Sequence, residues 1–87
     1  MESKLQRKII LDLKSKGFVV NKVIRCNNSG WPDLEAFRNG EVIFIEVKDE
    51  NKKADPLQEY VHEILNAQKF KVFVVDTWEL YTNLNIK

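Results

Sequence analysis

The sequence predicts an α/β fold in the order helix, three strands, helix, strand, closed around a mixed sheet. Three observations predict it. Apolar residues recur at helical spacing near the start of the chain. An Asn39-Gly40 turn divides two β-rich runs, and a second helical pattern separates the third strand from a last one. At 87 residues the chain is expected to form a single domain, 1–87, with a modest core.

Residues from Ser3 to Lys16 are expected to be helical, because Leu5, Ile9 and Leu13 repeat on one face and Ile10 widens the stripe. Ser3 and Gln6 have the spacing of a capping box, and Gly17 supplies the stop. Phe18 to Arg25 reads as a strand, and Cys26 to Pro32 as a loop dense in turn formers. Asp33 to Arg38 is the second strand. Asn39-Gly40 favours a two-residue type I′ turn into a third strand, Glu41 to Lys48. Val42, Ile43, Phe44 and Ile45 make that strand apolar on both faces, which suits a central position.

Asp49 to Asp55 is polar and reads as a surface loop, after which Pro56 opens a helix at its first position. Leu57, Tyr60, Val61, Ile64 and Leu65 are expected to form its apolar face. Phe70 to Asp76 is the last strand, and a strand reached through a crossover helix is expected to run parallel to a neighbour. From Thr77 onward the pattern is ambiguous, although Trp78, Leu80 and Tyr81 are apolar enough to dock on something. A partner subunit is one candidate for that contact.

Composition narrows the function classes. Lys and Arg number 14 against 13 Asp and Glu, so a nucleic-acid partner has to be argued from local patches. Lys4, Arg7, Lys8, Lys14 and Lys16 make one group, which a solvated helix face also explains; Lys48, Lys52 and Lys53 make another. The one cysteine, Cys26, excludes an intrachain disulfide and a multi-Cys zinc site. It reads as an inert small residue. No apolar run is long enough to span a bilayer and no signal-peptide pattern opens the chain, so the expected setting is inside a cell.

The hairpin turn points to the chemistry. With Asn39 and Gly40 as the loop, Arg38 faces Glu41, and counting outward places Asp33 opposite Glu46. Two carboxylates about 5 Å apart repel by roughly 3 kcal/mol at an effective dielectric of 20. A divalent cation between them turns that penalty into binding, and hard oxygen ligands suit Mg2+ or Mn2+. Lys48 lies two residues after Glu46 and therefore on the same face of the strand. Its ammonium is placed to hold an attacking water or to offset charge growing on a phosphate. The carbonyl of Val47 is a further candidate ligand. Singly, Asp33 also reads as a strand opener after Pro32, and Glu46 with Lys48 as a surface charge pair.

These residues also carry a family resemblance. Gly30-Trp31-Pro32-Asp33-Leu34, then Ile45-Glu46-Val47-Lys48, then Gln58 resemble the viral-type replication-repair nuclease (VRR-NUC) domain of the PD-(D/E)xK superfamily, from Glu2 to about Asp76. ExK alone arises often by chance, whereas the ordered GxPD, ExK and Q series is fairly specific. Holliday-junction resolvases share much of the pattern, but Gly30-Trp31-Pro32-Asp33 and Gln58 favour VRR-NUC.

The resemblance implies a restriction-endonuclease-like αβββαβ core and Mg2+- or Mn2+-dependent endonucleolytic cleavage of replication or repair DNA. It assigns metal binding to Asp33 and Glu46 and the catalytic lysine to Lys48. It adds Glu2 from the first helix and Gln58 as a polar active-site residue. It further implies a homodimer acting on branched or junction DNA in the cytoplasm, with a phage, viral or bacterial origin in keeping. A nuclease fold that binds nucleic acid without cleaving it is the alternative.

Several of these residues have competing roles. Gln58 also completes a capping box with Asp55. Glu2 continues the Leu5, Ile9, Leu13 stripe but sits where helices fray. Trp31 either stacks on a base or packs locally. With Ser29, Gly30, Lys52 and Lys53 it makes up the candidate DNA contacts. His62, one turn after Gln58, either approaches the site or, as expected here, lies on the surface.

Overall fold

The structure is a computed structural model and describes residues 3–87. Among the described residues the elements are α1 (Lys4–Ser15), β1 (Val19–Lys22), β2 (Leu34–Arg38), β3 (Glu41–Val47), α2 (Pro56–Ala67), β4 (Lys71–Val75) and α3 (Trp78–Asn83). The strands form one sheet in the order β1-β2-β3-β4, antiparallel except for the parallel pair of β3 with β4. The predicted order, the mixed sheet and the central place of the third strand are all present.

The hairpin has the expected register, with Arg38 paired to Glu41 and Leu34 to Ile45. Asn39 and Gly40 both take positive φ, 51° and 78°, as a type I′ turn requires. The first strand is shorter than its β-branched run suggested and ends at Lys22. Beyond it, Val23 N–H still donates to the Asp33 carbonyl at 2.8 Å, which anchors the loop to the opening of β2.

The sheet has two unlike faces. Leu34, Ala36, Ile45 and Val75 point to the side covered by Ile9 and Leu13 of α1 and Tyr81 of α3. Phe44 points to the other side, where Val61 and Leu65 of α2 cover it and Trp31, Val42 and Val72 pack alongside. Since side chains alternate along a strand, Glu46 shares the α2 side with Phe44.

Both long helices begin and end for local reasons. Ser3 Oγ accepts from Gln6 N–H, and Asp55 with Gln58 forms a complete capping box ahead of Pro56. Gly17, at φ 90°, lets Phe18 N–H return to the Leu13 carbonyl at 3.1 Å. Lys69 plays the same part after α2 at φ 74°, letting Phe70 N–H return to Leu65.

One expectation requires correction. The apolar face of α2 is divided: Val61 and Leu65 are buried, while Leu57, Tyr60 and Ile64 are 49 %, 61 % and 46 % exposed. The sheet is too narrow to cover the whole stripe, so one half of it faces outward. The ambiguous tail forms α3, and its apolar residues Trp78 and Tyr81 dock on the protein's own core. Tyr81 is buried and donates its hydroxyl to Asp12 at 2.7 Å, and Lys8 lies over the Trp78 ring at 4.3 Å. Burial works to raise the Asp12 carboxyl, but hydrogen bonds from Lys16 and Tyr81 outweigh it and hold it low. Among the described residues no helix is long and apolar enough to cross a membrane.

Candidate active site

The site forms where the C-terminal end of β3 passes between the opening of β2 and the first turns of α2. Glu46 is its centre and is only 2 % exposed. It is placed there because β3 is central in the sheet and its α2 side is covered. Its Oε2 accepts from Gln58 Nε2 at 3.3 Å and faces Lys48 Nζ at 3.7 Å. Lys48 is fixed through its backbone, whose N–H donates to the Val75 carbonyl at 2.8 Å.

Asp33 reaches the same point from just ahead of β2. Its Oδ2 accepts from the backbone N–H of Val47 at 2.9 Å, which aims the carboxylate at the strand that carries Glu46. Pro32, fully buried just ahead of it, fixes the approach of the chain. The two acids feel each other strongly. Burial, then the charge of Asp33 and a hydrogen bond with it, raise the Glu46 carboxyl from 4.5 to about 8, against the opposing pull of Lys48. Glu35, the next acid along β2, is committed elsewhere: Trp31 Nε1 donates to its Oε2 at 2.9 Å and Asn21 Nδ2 to its Oε1 at 2.8 Å.

The two roles considered for Gln58 turn out to be compatible. Its Oε1 accepts from Asp55 N–H at 2.9 Å and closes the capping box, while its Nε2 donates to Glu46. One planar amide therefore fixes the start of α2 against the acid on β3.

His62 belongs to the site and is not a surface residue. It is buried, and its Nε2 lies 3.9 Å from Glu46 Oε1. Burial, then the charge of Lys48, lower its pKa, so the ring is neutral near pH 7 and the contact is not an ion pair. The signal for it was the four-residue step from Gln58, which places both side chains on one helix face.

The loop ahead of Asp33 is packed against α2. Gly30 takes φ 84°, and a Cβ there would meet the Leu57 side chain and carbonyl at 3.0 Å. Only glycine allows that approach without strain. Trp31 packs edge-on against Phe44 at 5.6 Å, so local packing is one part it plays. Ser29 and Trp31 line a shallow cavity over the exposed side of α2, together with Leu57, Tyr60 and Ile64. Lys52 and Lys53 line a groove of about 490 Å3 beside His62, with Glu59, Glu63 and Asp76 as acidic neighbours. The loop carrying these lysines is tied down by Asn51 N–H, which donates to Asp76 at 2.9 Å.

The comparisons with known proteins agree with this fold. No family model matches the chain. A protein of Acyrthosiphon pisum secondary endosymbiont phage 1, described as "Putative nuclease p44", is 30% identical over 80 residues, covering 91% of this chain and 86% of its own length. A solved structure described as a "VRR_NUC domain" superposes with a TM-score of 0.86 at 34% identity, over 95% of this chain and 91% of that one. The chain belongs to the VRR-NUC family.

In this VRR-NUC chain Asp33, Glu46, Lys48 and Gln58 converge as expected, with His62 added. Val47 contributes its N–H to Asp33. Glu2 lies outside the described residues. Among the described residues no three His, Cys, Asp or Glu side chains form a metal cage. The donor set is therefore two carboxylates that repel each other, one of them with the buried oxygen Oε1 left without a hydrogen bond. Such a set fits a hard divalent ion that keeps several of its waters, as Mg2+ does.

Proposed function

We propose that the protein is a divalent-metal-dependent endonuclease of the PD-(D/E)xK type that hydrolyses phosphodiester bonds in structured DNA. The observation that carries this reading is the meeting of Asp33 and Glu46 beside Lys48, where burial and then the charge of Asp33 raise the Glu46 carboxyl to about 8. Family membership and the nuclease description of the phage relative support it.

Asp33, Glu46 and the Val47 carbonyl are the groups that would hold Mg2+ or Mn2+, and the ion would polarise the phosphate and acidify bound water. The protein's own residues set the geometry. The Val47 N–H aims Asp33, and Gln58 aims Glu46. Lys48, 3.7 Å from Glu46, is placed to offset charge growing on the scissile phosphate or to hold the attacking water. Lys52 and Lys53, with the loop at Ser29, Gly30 and Trp31, border the path for DNA. The acidic residues lining the same groove keep the attraction local.

A homodimer cutting branched DNA is the assembly proposed. The exposed Leu57, Tyr60 and Ile64 stripe is the surface that supports it. Two-fold pairing would present two sites for paired nicks in opposing strands. The test is incubation of purified protein with labelled four-way junctions, flaps and duplex in Mg2+ or Mn2+, alongside sedimentation across micromolar concentrations. Cleavage abolished by Asp33→Ala is the expected result. Intact DNA in every mixture with folded protein refutes the endonuclease, and tight DNA binding under those conditions would make the chain a binding module. Monomeric sedimentation throughout refutes the dimer.

A further inference from the structure

Glu46 is gripped at one oxygen and not at the other. Oε2 receives Gln58 and faces Lys48. Oε1 is buried with no hydrogen-bond partner, and the atom facing it at 3.9 Å, His62 Nε2, is also buried without one. An unsatisfied buried polar group costs about 1–3 kcal/mol. Two such groups that face each other across a gap therefore call for a state in which they are joined.

We propose that His62 is a positioning residue for Glu46, donating its Nε2–H to Oε1 when the carboxylate is engaged by a divalent ion. The inference rests on the nuclease reading of the site and adds a residue to it. Closing from 3.9 Å to a hydrogen bond of about 2.8–2.9 Å needs a shift of about 1 Å, within reach of a side-chain rotation. Each carboxylate oxygen has two acceptor positions, so Oε1 can take the imidazole and still have one free. A neutral imidazole has one N–H, and the hydrogen bond made by one nitrogen decides which carries it. The facing carboxylate therefore selects the Nε2–H tautomer. His62 also lines the groove with Lys52, Lys53 and Glu59, so it links that groove to the acid.

Two measurements test this. In long-range nitrogen–proton spectra of the Mg2+-loaded wild-type protein, His62 is expected as the Nε2–H tautomer with a slowly exchanging proton. A ring protonated only at Nδ1, or coordinated through Nε2, overturns the proposal. In Mn2+ calorimetry His62→Met, which keeps bulk and loses the donor, is expected to weaken binding by about 10–100-fold. His62→Gln restores an N–H and is expected to recover most of that loss, with kcat following the same order and KM for DNA unchanged. Binding by His62→Met within about twofold of wild type overturns the proposal, as does a folded His62→Gln no better than His62→Met. Failure of the underlying reading looks different: wild-type protein then takes up no Mn2+ and Asp33→Ala changes nothing, and both inferences fall.

Discussion

Glu46→Gln is expected to separate the stability of the fold from its chemistry. The amide keeps the shape of the side chain and removes its charge. In the unfolded chain this carboxyl titrates near 4.5, and in the metal-free folded protein near 8. Between those values the folded state holds a proton that the unfolded state has released. Its contribution to stability is therefore present below about 4.5, falls as pH rises, and is gone above about 8. One proton limits the slope to about 1.4 kcal/mol per pH unit, and the whole window is worth on the order of 5 kcal/mol. His62, whose pKa is lowered, acts in the opposite sense below about 6.5, but it does so in both proteins. Urea denaturation in chelator at pH 5 and pH 8.5 isolates the Glu46 term as the difference between wild type and Glu46→Gln. The wild-type protein should lose several kcal/mol relative to the variant across that interval, and added Mn2+ should restore it in wild type alone. Parallel pH profiles for the two proteins would refute the claim that Glu46 is a costly buried acid awaiting a cation.

Other expectations follow from single contacts. Lys48→Ala should leave Mn2+ affinity near wild type in calorimetry while lowering kcat by about 10²–10³; equal loss of both would make Lys48 part of the ion's own site. Gln58→Ala removes one side of the Asp55 box and the grip on Glu46 together, so it should cost about 1 kcal/mol in thermal unfolding and also weaken Mn2+ binding. Gly30→Ala forces an alanine to φ 84° with Leu57 at 3.0 Å; a loss above about 1–2 kcal/mol in urea denaturation is expected. Lys69→Gly relieves the positive φ of 74° after α2 and should raise stability by up to about 1 kcal/mol in the same assay.

Much of the fold was legible because its signals are local. Asn39-Gly40 set the hairpin, the hairpin set the register, and the register brought Asp33 and Glu46 together. The apolar run on both faces of β3 placed it in the centre for a similarly direct reason. What escaped depends on how much surface the rest of the molecule covers. The stripe of Leu57, Tyr60, Val61, Ile64 and Leu65 looks uniform in sequence, but only the part lying over Phe44 is covered. His62 read as exposed because a polar residue beside that stripe gives no sign of the acid beneath it. Tyr81 was apolar enough to dock, yet its anchor, Asp12, lies on an element far away in sequence. Gln58 fits two roles by sequence, and a single amide performs both with its two ends.

The topology also divides the site in time. The two acids sit on strands joined by a two-residue turn, and closing so short a connection costs little chain entropy. Gln58 and His62 arrive only with the crossover that returns β4 alongside β3, a longer-range event and a slower one. The folding chain is therefore expected to bring its two acids together before the groups that orient them are in place. A divalent ion supplied during refolding would act on that early hairpin, serving as an assembly factor before it serves any chemistry.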